Sequence, residues 1–129
     1  MSSAGVAATA KHFPGLGRAQ VNTDDASADV AGGLERDLVP FRAAIAAEVP
    51  LVMLSHARYP GLDPDRIASQ SPLIATRLLR ETLGFQGVVV SDALNMAPAR
   101  RYAPGEAAVR ALMAGIDVLL MPPDLTAAR

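Results

Sequence analysis

The chain has 129 residues, 50% of them hydrophobic and 19% charged, with a formal net charge of −1 at pH 7. This composition is typical of one folded domain, and the nearly neutral charge provides no basic surface for nucleic acid. The absence of cysteine excludes disulfides and thiolate metal sites, and no apolar run approaches the length of a membrane span.

Four short apolar runs predict β-strands, and each is followed by polar residues. The predicted strands are about Val6–Ala10, Leu51–Leu54, Val88–Val90 and Val118–Met121. The polar residues that follow them are Lys11-His12, Ser55-His56, Ser91-Asp92 and, after two prolines, Asp124. Side chains at the carboxyl ends of parallel strands are the usual location of ligand sites in α/β proteins.

Helical patterns lie between these strands. Leu34, Leu38, Phe41 and Ile45 form one apolar stripe. Because proline is best tolerated in a first turn, the regular helix is expected to begin at Pro40 and to end near Ala47.

The two later helices have clearer ends. Ser71 is a suitable N-cap, Pro72 suits the first helical position, and Gly84 suits the end of the second helix. The third helix is predicted from Gly105 to Ala114, with its larger apolar residues facing the core. Those residues are Val109, Leu112 and Met113.

Strict alternation of strands and helices predicts an α/β fold with a parallel sheet and right-handed crossovers. A (β/α)₈ TIM barrel needs eight such units, and this chain has four, with one more helix just begun at Leu125–Arg129. We therefore expect a partial TIM barrel of about four βα units, the C-terminal half-barrel, formed by one domain over residues 1–129. The loops 15–33 and 56–70 have no clear periodicity and are expected to be functional or mobile.

Asp92 is the most informative single residue. A glycine and three valines precede it and predict a strand that is buried on both faces. A carboxylate at the end of such a strand either acts on a ligand or caps the helix that follows near Ala93–Ala97. The strand pattern by itself leaves both interpretations open.

The polar segments together resemble glycoside hydrolase family 3, specifically its bacterial β-N-acetylhexosaminidase branch. The resemblance runs in order along nearly the whole chain, and its two most specific segments are KHFPG-x-G and GF-x-G-VVVSDAL. The segments that carry it are Lys11–Gly17, Asn22–Asp24, Asp37–Phe41, Met53–Pro60, Leu83–Val88 and Ser91–Met96.

The resemblance implies a (β/α)₈ barrel, a retaining mechanism without cofactor or metal, and removal of terminal N-acetylglucosamine, often from cell-wall fragments. Asp92 matches the nucleophile of the family. Lys11 and His12 match the pair that hydrogen-bonds sugar hydroxyls. The alternative for this pair is a solvated lysine and a histidine packed on Phe13.

The acid/base position departs from the branch, which carries Asp-x-His on the loop after KHFPG. This chain has Asn22-Thr23-Asp24 there, and Leu16 where the family has another loop histidine. Asp24 is the candidate acid/base and Asp25 the fallback, whereas the alternative is an ordinary Asx turn. His56 and Tyr59, in a segment that resembles the AH-x-x-YP run of the family, either line the sugar site or brace the loop.

Two functions follow from this sequence. The first is a glycosidase acting on a carbohydrate substrate, of which this chain carries the nucleophile and which shows little activity as an isolated half-barrel. The alternative is a non-catalytic half-barrel remnant or carbohydrate-binding module. Open half-barrel edges predict self-association. Residues 1–5 lack a signal-peptide pattern, so a cytoplasmic location is the default expectation.

Overall fold

The structure is a computed structural model that describes residues 4–103 and 105–123. In chain order its elements are strand β1 (Thr9–Phe13), helix α1 (Leu34–Ala46), strands β2 (Leu51–Leu54), β3 (Arg58–Tyr59) and β4 (Asp63–Ile67), a 3₁₀ turn (Ala68–Gln70), a π-type helix (Leu73–Thr82), strand β5 (Val88–Ala93), helices α2 (Ala97–Arg100) and α3 (Glu106–Ala114), and strand β6 (Val118–Leu120). The helix expected from Asp124 and Leu125 onward lies outside the described residues.

Four of the six strands form one parallel sheet, in the order β1-β2-β5-β6. This order follows the chain, and the predicted α/β fold with a parallel sheet is confirmed. β2 pairs with β5 in regular register from Leu51 opposite Val88 to Leu54 opposite Ser91. The carboxyl ends of β1, β2 and β5 therefore lie side by side.

The prediction for the first strand is wrong by three residues. The strand runs from Thr9 to Phe13, and Val6 is 59% exposed in front of it. Phe13 is fully buried and packs edge-on against Phe41 of α1, with ring centroids 5.1 Å apart. This contact draws the segment into the sheet, so Lys11 and His12 lie within β1 instead of after it.

The segment after β2 was expected to be irregular, and it instead contains a hairpin. β3 and β4 pair antiparallel, with Arg58 opposite Ile67 and Tyr59 opposite Asp63. The long loop 15–33 is irregular, as predicted, but it is attached to this hairpin. The N–H of Val30 donates to the Arg58 carbonyl, and the Arg58 guanidinium binds both carboxylate oxygens of Asp29.

Helix α1 begins six residues earlier than expected, at Leu34, and includes Pro40. Gly33 adopts a left-handed conformation (φ 59°) and its carbonyl accepts the N–H groups of Arg36 and Asp37. The apolar stripe is correct, since Leu38 and Phe41 are buried while Pro40 is exposed. The free energy gained by burying this stripe outweighs the loss of the one backbone hydrogen bond that proline cannot donate.

The two later helices lie at the predicted positions, but α3 buries a different face from the one predicted. The Ser71 hydroxyl accepts the N–H of Ile74 as predicted, and Gly84 follows the π-type helix with φ 72°. Helix α3, in contrast, buries its alanines and exposes its larger residues, with Met113 77% exposed. Alanine lets the helix approach its neighbours closely, so the prediction that Val109, Leu112 and Met113 face the core is wrong.

The core lies between the parallel sheet and the helices. Its large fully buried members from the sheet are Phe13, Val52, Leu54 and Val89, and from the helices Leu38, Ile74 and Leu79. A smaller cluster around Leu94 and Ala99 supports the segment that follows β5. None of the helices in the described ranges is long and apolar enough to cross a membrane.

Candidate active site

Asp92 lies at the carboxyl end of β5 and is 7% exposed. Its Oδ1 accepts the backbone N–H of Ala93 at 2.9 Å. Its Oδ2 lies 3.9 Å from Nε2 of His12, which extends from β1. Two residues that the sequence assigned to one site are therefore brought together, although β2 lies between their strands.

His12 is partly buried and lies near one positively charged and two negatively charged side chains. Desolvation lowers the pKa of His12, and Lys11 lowers it further, whereas Asp92 and Asp24 oppose this shift. A histidine with a lowered pKa is neutral at pH 7 and presents one donor and one acceptor nitrogen. Such a ring suits hydrogen bonds to sugar hydroxyls.

Lys11 and His12 line an open cavity of about 710 Å³ beside β1. The Lys11 side chain is exposed, and the cavity wall also includes the ion pair between Arg18 and Asp37, whose atoms are 2.6 Å apart. The Cβ of any residue placed at Gly15 would lie 2.5 Å from Cβ of Asp37, so the turn after β1 requires glycine there. This packing fixes the turn that follows the two candidate sugar-binding residues.

His56 is fully buried, and both of its ring nitrogens are engaged by protein groups. Nδ1 lies 2.7 Å from the Ser69 hydroxyl and Nε2 lies 3.0 Å from the carbonyl oxygen of Ala93. Desolvation lowers the pKa of His56, and the nearby Asp92 carboxylate opposes the shift. This arrangement favours the bracing interpretation over direct contact between His56 and a sugar.

Tyr59 also braces the site. Its hydroxyl donates to the carbonyl of Gly15 at 3.0 Å and lies 3.0 Å from the hydroxyl of Ser55. Burial raises the pKa of Tyr59 to about 12, so the phenol stays protonated and keeps its donor. The end of β2 is thereby connected to the turn that follows β1.

Asp24 lies on the loop between β1 and α1 and its side chain is exposed. Its backbone N–H donates to Oδ1 of Asn22, and its Oδ2 accepts from Nδ2 of Asn22. The first of these hydrogen bonds forms an Asx turn, the alternative interpretation of this segment. Its carbonyl accepts the N–H of Ala97 at 3.2 Å, which holds this loop beside the segment after β5. The carboxylate also acts electrostatically on His12.

Two buried serines also belong to this site: sequence reasoning placed Ser55 after a strand without assigning it a contact, and it did not single out Ser69. Each is fully buried, and each hydroxyl contacts a residue of the AH-x-x-YP-like segment. Ser69 lies in a stretch without apolar periodicity, and its contact with His56 depends on the hairpin between them, so no local signal could have identified it. Within residues 4–103 and 105–123, no group of three or more His, Asp or Glu is placed to hold a metal ion.

Comparisons with known proteins agree on one family. A family model described as the glycosyl hydrolase family 3 N-terminal domain matches residues 1–128. A beta-hexosaminidase of Stenotrophomonas maltophilia is 43% identical over 126 residues, which cover 94% of this chain and 37% of that protein. The sequence resemblance to this family is thus confirmed.

Two solved structures are similar over nearly the whole chain. A glycoside hydrolase family 3 beta-N-acetylglucosaminidase from Paenibacillus sp. matches with a TM-score of 0.87 and 42% identity, covering 92% of this chain and 24% of the other. A beta-N-acetylhexosaminidase from Beutenbergia cavernae matches with a TM-score of 0.90 and 38% identity, covering 96% and 38%. The chain spans less than two fifths of the length of each of these relatives.

Proposed function

We propose that this chain, which belongs to glycosyl hydrolase family 3, carries the nucleophile of a retaining glycosidase that acts on terminal β-N-acetylglucosaminides or related β-glycosides. The single observation that carries the proposal is the position of Asp92. It is a buried carboxylate at a strand end, beside an imidazole that is itself suited to a sugar hydroxyl. The proposed substrate class is that of the similar beta-hexosaminidase, beta-N-acetylglucosaminidase and beta-N-acetylhexosaminidase.

In the proposed reaction, a carboxylate oxygen of Asp92 attacks the anomeric carbon while the glycosidic C–O bond breaks. The leaving oxygen takes a proton from the carboxylic acid of Asp24. A water molecule then attacks the same carbon, returns a proton to the Asp24 carboxylate and releases Asp92. Lys11 and neutral His12 bind hydroxyls of the sugar, and the reaction needs no cofactor or metal.

The four strand–helix units are proposed to form part of a (β/α)₈ barrel, as one partial catalytic domain. Four parallel strands in chain order are consistent with this arrangement, as is the similarity to much longer family members. The remaining units would complete the sugar site. The isolated 129-residue chain is therefore expected to hydrolyse little or no substrate.

Asp92→Asn in the intact protein that carries this chain tests the proposal. We expect turnover of an aryl β-N-acetylglucosaminide to fall at least about a thousandfold, because the amide cannot form the glycosyl ester, while affinity for N-acetylglucosamine stays within a few-fold. In the wild-type protein, a fluorinated substrate that is hydrolysed slowly should label the nucleophile covalently. The mass of the peptide that contains Asp92 should then rise by that of one sugar.

Glu81→Gln is the matched control, because Glu81 is an exposed carboxylate on the π-type helix. It should retain full turnover. Wild-type turnover in Asp92→Asn would place the nucleophile elsewhere. Sugar binding without hydrolysis by the wild-type protein would instead identify a carbohydrate-binding module.

A further inference from the structure

The residue after the proposed nucleophile is held at both of its backbone groups. The N–H of Ala93 donates to Oδ1 of Asp92, and the carbonyl of Ala93 faces Nε2 of His56 at 3.0 Å. The first contact fixes the orientation of the Asp92 carboxylate relative to its own backbone. The second connects that backbone to the loop after β2.

The partners of His56 determine which ring nitrogen carries the proton. A carbonyl oxygen can only accept a hydrogen bond, so the Nε2 that faces Ala93 must be the protonated nitrogen. In a neutral ring Nδ1 is then an acceptor, and the Ser69 hydroxyl donates a hydrogen bond to it at 2.7 Å. Ser69 is itself held by its backbone N–H, which donates to the carbonyl of Ser55.

The surroundings favour this neutral ring. His56 and Ser69 are both fully buried, and burial disfavours a charged imidazole. The two titratable groups that act on the ring are Asp92, which favours the charged form, and His12, which disfavours it. Desolvation outweighs the Asp92 carboxylate, so the pKa of His56 is lowered.

We propose that His56, which carries its proton on the Nε2 that faces the Ala93 carbonyl and is held in place by Ser69, is a positioning residue that orients the Asp92 carboxylate through the carbonyl and N–H of Ala93. This inference rests on the proposed function, in which Asp92 is the nucleophile. Ser69, His56 and Ala93 form one chain of hydrogen bonds from the 3₁₀ turn to the end of β5. His56 itself has no exposed surface with which to contact a substrate.

Ser69→Ala is the sharpest variant, because it removes the hydrogen-bond donor to Nδ1 of His56 without mutating His56 or Asp92. We expect kcat of the intact protein to fall about 10- to 100-fold, as for a misplaced reacting group, with KM within about twofold. Ser71→Ala is the matched control. Ser71 is a buried serine of the same stretch whose hydroxyl binds Asp63 and not His56, so this variant should keep kcat.

Nuclear magnetic resonance provides a readout independent of activity. Long-range ¹H–¹⁵N spectra should show a neutral His56 ring with its proton on Nε2 at pH 7. The side-chain carboxyl carbon resonance of Asp92 should move in Ser69→Ala and remain in place in Ser71→Ala. A proton on Nδ1, a charged ring, or equal kcat values for the two serine variants would overturn the inference.

The two failures are distinguishable. If the wild-type protein hydrolyses no glycoside, the proposed function fails, and an unmoved Asp92 resonance in Ser69→Ala then overturns the inference as well. If the wild-type protein is active and Ser69→Ala matches it in kcat, only the inference fails.

Discussion

The paired carboxylate and imidazole at the site lie 80 residues apart in the sequence. Asp92 and His12 lie 3.9 Å apart because β1 and β5 flank β2 in one parallel sheet and end on the same side. The pKa of His12 is lowered, so His12 is mainly neutral at pH 7 and does not hold Asp92 in an ion pair. This leaves the carboxylate oxygens of Asp92 available for an electrophilic carbon.

Asp24→Ala tests the proposed role of Asp24 as the acid/base. The variant should slow hydrolysis of substrates with poor leaving groups about 10²- to 10⁴-fold and affect activated aryl glycosides far less, because only the former need a proton at the leaving oxygen. Azide should partly restore turnover of activated substrates by replacing the water that Asp24 would activate. Steady-state kinetics on a series of aryl leaving groups measures both effects.

Asp25→Ala is the control, because Asp25 is the adjacent exposed carboxylate on the same loop. If Asp25→Ala shows the leaving-group dependence and Asp24→Ala does not, Asp25 is the acid/base. Equal losses on all substrates without azide rescue would reduce Asp24 to a member of the Asx turn with Asn22.

For single residues, the sequence identified candidate site residues but not the hydrogen bonds that hold them. His12 lies 3.9 Å from Asp92, and Lys11 and Asp24 act electrostatically on His12, but Lys11 and His12 lie within β1 and not after it as the strand pattern predicted. Ser69 could not be predicted, because its role arises from a hydrogen bond to His56 across the hairpin. The bracing role of His56 likewise depends on the backbone of β5, which a local pattern does not show.

Among the elements, the β3–β4 hairpin connects the site to the helix that follows it. Asp63 at the start of β4 is buried, and it accepts the Ser71 hydroxyl at 2.6 Å and the N–H groups of Asp65 and Arg66 at 3.1 Å. Burial disfavours the ionised carboxylate, but these hydrogen bonds and the nearby Arg66 outweigh it and lower the pKa of Asp63.

Asp63→Asn should destabilise the fold by about 1–3 kcal/mol at pH 7, because the amide cannot replace every acceptor of the carboxylate. The sign of the pH dependence follows from the lowered pKa. The stabilisation is present above the unfolded value of about 3.9 and is lost as pH falls through the folded pKa. Urea unfolding followed by circular dichroism at pH 7 and below pH 4 measures the difference, which should narrow in acid.

Asp65→Asn is the matched control, since Asp65 is an exposed carboxylate on the same strand. It should change the free energy of unfolding by less than about 0.5 kcal/mol. A constant difference between wild type and Asp63→Asn from pH 7 to pH 3 would show that the charge of Asp63 contributes nothing to stability.

The elements also show where periodicity is informative and where it fails. β2 occupies the predicted residues, and α1 buries Leu38 and Phe41 of the predicted stripe. Helix α3 presents two apolar faces, one of alanines and one of larger residues, and hydropathy cannot rank them. Close packing selects the alanines, including fully buried Ala111 and Ala114.

At the scale of the molecule, the parallel sheet formed by the described residues has two edge strands, β1 and β6. Within the described part of the chain, β1 pairs with β2 alone and β6 pairs with β5 alone. Beside β6, helix α3 exposes Val109, Leu112 and Met113 to solvent. Unpaired strands and exposed apolar residues of this kind are a surface for another polypeptide.

The partner that this surface meets in the isolated 129-residue chain is expected to be a second copy. Burying about 400 Å² of apolar surface at roughly 25 cal/mol per Å² would contribute about 10 kcal/mol before the entropic cost of association. We therefore predict that the chain self-associates at micromolar concentration, and sedimentation velocity over a dilution series measures this.

Met113→Lys should shift the population toward monomer by placing a charge in the exposed face of α3. Leu73→Lys, at an exposed apolar residue of the π-type helix that connects the inner strands β2 and β5, should leave the distribution unchanged. A single sharp monomer boundary at all concentrations, with cooperative thermal unfolding, would contradict the prediction, because it would mean that the open edges are stable in water.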